Sequence, residues 1–257
     1  MLSFHVLGPI EIGSPRQTLR PRGPQQRTLL VVLLANARRL VPIESLIDEL
    51  WGDKPPRHVE NALQAHISRL RQQLALLESA DGPSRLVTHP SGYRLMVADE
   101  EVDAAVLAAG VERIRSRPQD DDPAVTVREL RRMLELWRGP VFGGPVGGRL
   151  CRAAATRYEE MRLAALELLF DSELRNGDHV RIIPELQALL TEDFYKERFR
   201  QQLMVALYRS GRQADALAVY RELWRRLTDD LGLEPSPTMR DYERAILDQD
   251  PMLDSAL

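Results

Sequence analysis

The sequence predicts a mainly α chain with a small β part. A front half of small antiparallel sheet, three helices and a β-hairpin precedes an all-α back half. Three observations carry this expectation. Over residues 1–98, short strand-like apolar runs give way to apolar residues at helical intervals and then return. In the back half, "LRNGDHVRIIPELQALL" and "LYRSGRQADALAVYREL" align on Gly177 and Gly211, 34 residues apart. That is the tetratricopeptide period, one helix pair per repeat. The charge also changes sign: residues 1–98 hold 12 Arg/Lys against 8 Asp/Glu, and residues 99–257 hold 23 against 30. A basic front and an acidic back point to two domains with different partners, 1–98 and 99–250, with 251–257 as a tail.

Taken in order, "FHVLG" and "IEIG" read as strands around Gly8-Pro9, and "QTLRPR" as a third. "QQRTLLVVLLANARR" is apolar with helical spacing, and Pro24 suits its first turn. In "IESLIDELWG", Ile43, Leu46, Ile47 and Leu50 recur at helical intervals before Gly52. A third helix is expected from about Pro56 to Leu77. "RLVTHPSGYRLMV" then makes a hairpin turning at Pro90-Ser91-Gly92. Helix, turn, helix and hairpin in this order make a winged helix-turn-helix, with the third helix as recognition helix and the hairpin as wing.

From Asp99 the reading is helical. "VDAAVLAAGVERIRSR" and "AVTVRELRRMLELW" are helices separated by an acidic loop, "QDDDPA". "RGPVFGGPVGGRL" is loop; no Lys-Ser or Lys-Thr follows it, so it is not a phosphate cradle. In the repeats, Gly211, Ala218 and Tyr220 suit close helix packing, and Pro235 ends the second pair. Two repeats are too few for a solenoid, so the earlier helices are expected to cap the stack.

No apolar run approaches the roughly 20 residues of a membrane helix, and no secretory leader opens the sequence. The expected location is the cytoplasm, at the nucleoid, with no membrane partner. Cys151 is the only cysteine, so no internal disulfide forms, and it reads as buried and inert. No dinucleotide fingerprint, metal-spaced His/Cys set or nucleophile elbow is present, so no enzyme, metal or cofactor is expected.

On a wheel of 100° per residue, Leu63, Ile67, Leu70, Leu74 and Leu77 form the core stripe of the third helix. Opposite lie Arg57, His58, Asn61, Ala65, Ser68 and Gln72, flanked by Gln64 and Arg69. Residues 61–72 contain no Asp or Glu. A helix entering the major groove must exclude acids, because phosphates line it, and uses amides and guanidiniums to pair with base edges. The wheel alone leaves two readings open, such a surface or an ordinary solvated face.

"GPQQRTLLVVLLANARRLVPIESLIDELWGDKPPRHVENALQAHISRLRQQL" followed by "LVTHPSGYRLMV" resembles the OmpR-type winged helix, and more closely the Streptomyces antibiotic regulatory protein family of transcription activators. The phrases "LELWRGP", "YEEMRLAALE", "LMVALYRSGRQADALAVYRELWRRL" and "DDLGLEPSPTMRDYERAIL" resemble the bacterial transcriptional activation domain that follows it in that family. Carried over onto "LQAHISRLR", the resemblance implies that Gln64, Ala65, Ser68 and Arg69 face bases. Asn61, His66 and Arg71 would sit near phosphates, with Arg27, Arg57 and Gln72 beside them and His89 and Arg94 in the wing. His89 stands where relatives often carry Arg for the minor groove, and Gln25 where many carry Lys; both weaken the backbone grip. Trp51 aligns with a core tryptophan.

The resemblance further implies an activator that binds direct repeats in promoter DNA as a head-to-tail homodimer. It would recruit RNA polymerase, including its sigma factor, to secondary-metabolite genes. No receiver domain is present, so it implies a two-component-like output domain without a phosphoaspartate switch. Two other readings stay open: a helical-repeat adaptor whose winged helix contacts protein, and the regulatory part of a larger regulator. Some relatives continue into an ATPase domain, and this sequence stops about where such an extension begins.

Overall fold

Strands β1 (Ser3–His5), β2 (Glu11–Gly13) and β3 (Thr18–Leu19) pair antiparallel in that order. Phe4 faces Ile12, and both are fully buried. The third strand is shorter than "QTLRPR" suggested, because Pro21 has no N–H to extend the ladder. The computed structural model describes residues 2–77, 84–117, 122–192, 195–251 and 253. Half of the expected acidic loop (119–121) and five of the seven tail residues lie outside the described residues. The chain divides into two units: residues 1–116 with 132–163, and residues 117–131 with 164–257.

In the first unit, α1 (Pro24–Ala35) begins at the expected proline, and its run from Leu29 to Leu34 is wholly buried. A short strand that the sequence reading missed, β4 (Val41–Pro42), leads into α2 (Ile43–Trp51) and α3 (Val59–Leu77). The hairpin of β5 (Leu86–His89) and β6 (Gly92–Leu95) closes a second sheet, ordered β4-β6-β5, with Val41 opposite Tyr93. Gly92 is required there, since a Cβ would collide with the Val41 carbonyl. This is the winged helix-turn-helix. Leu63, Ile67, Leu70 and Leu74 of α3 are buried as the wheel placed them.

Two buried carboxylates tie this unit together. Asp103 opens α4 (Asp103–Arg115) and accepts hydrogen bonds from the backbone N–H groups of Val6 at 2.9 Å, Leu7 at 3.1 Å and Ala104 at 2.8 Å. It clamps the end of β1, a backbone stretch with no ladder partner there. Glu49 on α2 accepts from the N–H groups of Gly148 at 2.8 Å, Leu150 at 2.6 Å and Cys151 at 3.2 Å. α5 (Pro123–Leu134) and α6 (Arg149–Arg175) follow α4 in the chain. Glu49 therefore caps the orphan donors at the start of α6. Burial, then the Glu49 carboxylate, push the Cys151 thiol well up, which keeps it protonated and inert.

In the second unit, residues 164–175 of α6 lead through a turn into α7 (His179–Glu192), which packs against α8 (Glu197–Arg209), and α8 packs against α9 (Gln213–Arg226). The two turns repeat each other. Gly177 and Gly211 both have positive φ, 83° and 73°. The N–H of Asp178 reaches the Glu173 carbonyl as that of Arg212 reaches Leu207. Tyr220 is buried as expected, but Ala218 is exposed and Ala216 takes the packed position. The second pair also ends before Pro235: a wide turn over Leu227–Leu231 intervenes, and Pro235 precedes α10 (Pro237–Asp248). Arg131 donates to Glu173 at 2.7 Å and to Glu185 at 2.6 Å, linking α5, α6 and α7.

Candidate nucleic-acid interface

The outward side of α3 follows from its core stripe. With Leu63, Ile67, Leu70 and Leu74 inward, residues one and two positions away turn out. Gln64, Ala65, Ser68 and Arg69 are all exposed, as are Arg57, His58, Asn61 and Gln72. The side chains of Gln64, Ser68 and Arg69 have no hydrogen-bond or ion-pair partner among the described residues. A long guanidinium and an amide left unpaired on a stretch with no acid between Asn61 and Gln72 are available to a partner.

Four other expected contacts are already engaged within the protein. Arg71 is half-buried; its Nε and Nη2 donate to the Leu86 carbonyl at 3.1 and 2.9 Å, and Nη2 also to Thr88 Oγ1. It fastens α3 to β5. Arg27 is half-buried, and its Nη2 donates to the Phe142 carbonyl at 2.7 Å. Both half-buried guanidiniums thus spend donors on backbone carbonyls that would otherwise be unsatisfied. At the wing tip, the Ser91 N–H donates to His89 Nδ1 at 3.3 Å, folding that ring into its own turn. Arg94, on β6, is exposed.

His66 is the fourth. Gln26, buried on α1, donates from Nε2 to the His66 carbonyl at 3.0 Å and lies 2.9 Å from its Nδ1. That nitrogen of Gln26 is a donor, so Nδ1 accepts and the imidazole proton sits on Nε2. The Trp51 ring, itself half-buried, lies 5.9 Å from the His66 ring. Nothing in the apolar pattern of α1 singled out Gln26 beyond its being polar in an otherwise buried helix.

Burial, then the Arg69 charge beside it, hold the His66 pKa below the ordinary histidine value. The folded protein thus favours the neutral ring, while the unfolded chain binds a proton below about pH 6.5. His66 therefore contributes stability that is present above that pH and is lost as pH falls toward the folded midpoint. Imidazole ¹⁵N spectra of the free protein should show the Nε2–H form titrating below 6.5. A midpoint above 6.5, or the Nδ1–H form, would contradict the Gln26 contact.

Residues 102–247 match the bacterial transcriptional activator domain family, and residues 20–95 match the family described as transcriptional regulatory protein, C terminal. Over 98% of its length the chain is 40% identical to the regulatory protein AfsR of Streptomyces coelicolor and 39% identical to the transcriptional regulator RedD of the same organism. It is 32% identical to the regulatory protein DnrI of Streptomyces peucetius. It spans 25% of AfsR, 72% of RedD and 94% of DnrI. A solved structure of Mycobacterium tuberculosis EmbR in complex with a low affinity phosphopeptide is similar with a TM-score of 0.85 and 31% identity, covering 99% of this chain and 67% of that one. Among the described residues no helix is long and apolar enough to cross a membrane. An OmpR-type winged helix joined to a bacterial transcriptional activator domain, with relatives of this kind along its whole length, makes the chain a member of the Streptomyces antibiotic regulatory protein family of transcriptional regulators.

Proposed function

We propose that the chain is a sequence-specific DNA-binding activator whose α3 enters the major groove of promoter direct repeats. The observation that carries this reading is the exposed face of α3, free of Asp and Glu from Asn61 to Gln72, with Gln64, Ala65, Ser68 and Arg69 unspent on internal contacts. In this assignment those four read bases, and Arg57, Asn61, Gln72 and Arg94 meet the backbone. Residues 1–98 would serve DNA. Residues 99–250 would hold two protomers head to tail and recruit RNA polymerase through its sigma factor or core subunits. Membership of the antibiotic regulatory protein family, with RedD and DnrI of Streptomyces as relatives, favours secondary-metabolite promoters as targets. The location that follows is the nucleoid.

A mobility-shift series with promoter fragments, run across salt concentrations, tests the reading. The expected result is a specific shift whose log affinity falls linearly with log salt, by about 0.9 per phosphate contacted. Arg57→Ala and Arg94→Ala should each reduce that slope by about one contact. Arg27→Ala and Arg71→Ala should leave it near wild type, because their guanidiniums are held by carbonyls. If no fragment shifts even at low salt, the winged helix contacts protein and the adaptor reading stands.

A further inference from the structure

We propose that the first unit carries a second binding site, for a small organic anion with an apolar body and a single carboxylate, sulfonate or phosphate. A cavity of about 480 Å³ opens between the C-terminal end of α1, the first turns of α4 and the Arg157–Met161 stretch of α6. Pockets that bind small molecules run from about 300 to 1,000 Å³. The DNA-facing residues take no part in its lining.

Its chemistry is two-sided. Leu34, Val102, Ala105 and Met161 with the Tyr158 ring supply the apolar part of its wall. The rim is cationic. Arg39 and Arg157 are exposed and have no carboxylate partner among the described residues. Asp99, the acid that lines the cavity, is already paired with Arg38 at 2.8 Å. Arg157 lies over the Tyr158 ring, 5.1 Å from its centroid, which keeps its charge against the apolar wall. Guanidiniums with no carboxylate partner beside aliphatic surface suit a ligand that is apolar at one end and anionic at the other. A neutral apolar compound would leave the cations unanswered, and an inorganic anion would leave the wall empty.

The rim is also joined to the wing. Arg38 holds a left-handed φ of 63°, rare for a residue with a side chain, and its N–H donates to the Leu95 carbonyl at the end of β6. A ligand anion that competes with Asp99 for Arg38 therefore acts on the turn to which the wing strand is bonded. Any effect on DNA affinity would be matched by an equal effect of DNA on the ligand.

The probe is 1-anilinonaphthalene-8-sulfonate, titrated by fluorescence into the full chain without DNA, with N-phenyl-1-naphthylamine as its uncharged counterpart. The expected result is saturable one-to-one binding of the sulfonate. Arg39→Gln and Arg157→Gln should each weaken it about tenfold, as for loss of a charged hydrogen bond. Ala108→Trp, an exposed position on α4 at the cavity mouth, should abolish it while leaving the melting temperature unchanged. Unsaturable binding, equal affinity for the two probes, or undiminished affinity in all three variants would overturn the proposal. These outcomes bear on the cavity alone, since a mobility shift reads the α3 face separately.

Discussion

Asp103→Ala is expected to lower the melting temperature by roughly 10 °C. The carboxylate is buried and answers three backbone donors, on Val6, Leu7 and Ala104. Alanine leaves those donors without acceptors, at about 1–3 kcal/mol for each buried group left unsatisfied. Relaxation of the backbone around the vacated site offsets part of that cost. A total of about 3–5 kcal/mol follows, a large share of the roughly 5–15 kcal/mol that holds a domain folded. At about 2–4 °C per kcal/mol for a unit of this size, the shift is visible in any thermal melt. Asp103→Asn keeps one acceptor oxygen and should lose about half as much. A melt for Asp103→Ala within 2 °C of wild type would show that β1 is held by other means.

Arg69→Ala is expected to weaken binding to the specific promoter site by about 5- to 150-fold, with the melting temperature unchanged. A bidentate guanidinium on a guanine edge is worth roughly 1–3 kcal/mol of discrimination. Arg69 is exposed and makes no internal bond among the described residues, so its loss costs the fold nothing. Gln64→Ala should act in the same direction. Binding to unrelated DNA should change little, because the specific part of the contact is what is removed. Removing Arg69 also withdraws the positive charge next to His66, so the His66 midpoint should rise toward its ordinary value in the same variant.

The elements of the winged helix were legible because each had a local signal. Pro24 marks the first turn of α1, Gly52 ends α2, and Pro90-Ser91-Gly92 turns the hairpin. The outward face of α3 was legible for the same reason, since helical period and core stripe define its opposite side. What the sequence did not disclose depends on partners far along the chain. Glu49 looked like one more polar residue beside the apolar stripe of α2, yet it caps a helix that begins a hundred residues later. Asp103 reads as an ordinary acid at a helix start, and its hold on Val6 needs the folded chain. Strand β4 is two residues long and contains Pro42, too short for any alternation to register. Arg27 and Arg71 looked like free cations because only the fold brings Phe142 and Leu86 to them. Ala218 failed for a subtler reason: alignment on the turn glycine fixed the repeat but left the helix phase two residues out, and Ala216 is the buried alanine.

The central claim is that the Gln64–Arg69 face of α3 lies in the major groove. Methylation interference on a shifted promoter fragment tests it directly, since dimethyl sulfate marks guanine N7 in the major groove and adenine N3 in the minor groove. The predicted result is that N7 methylation of particular guanines in each direct repeat blocks wild-type binding, and that one of those positions ceases to matter in Arg69→Ala. An interference pattern confined to adenine N3, or one identical in wild type and Arg69→Ala, would contradict the assignment.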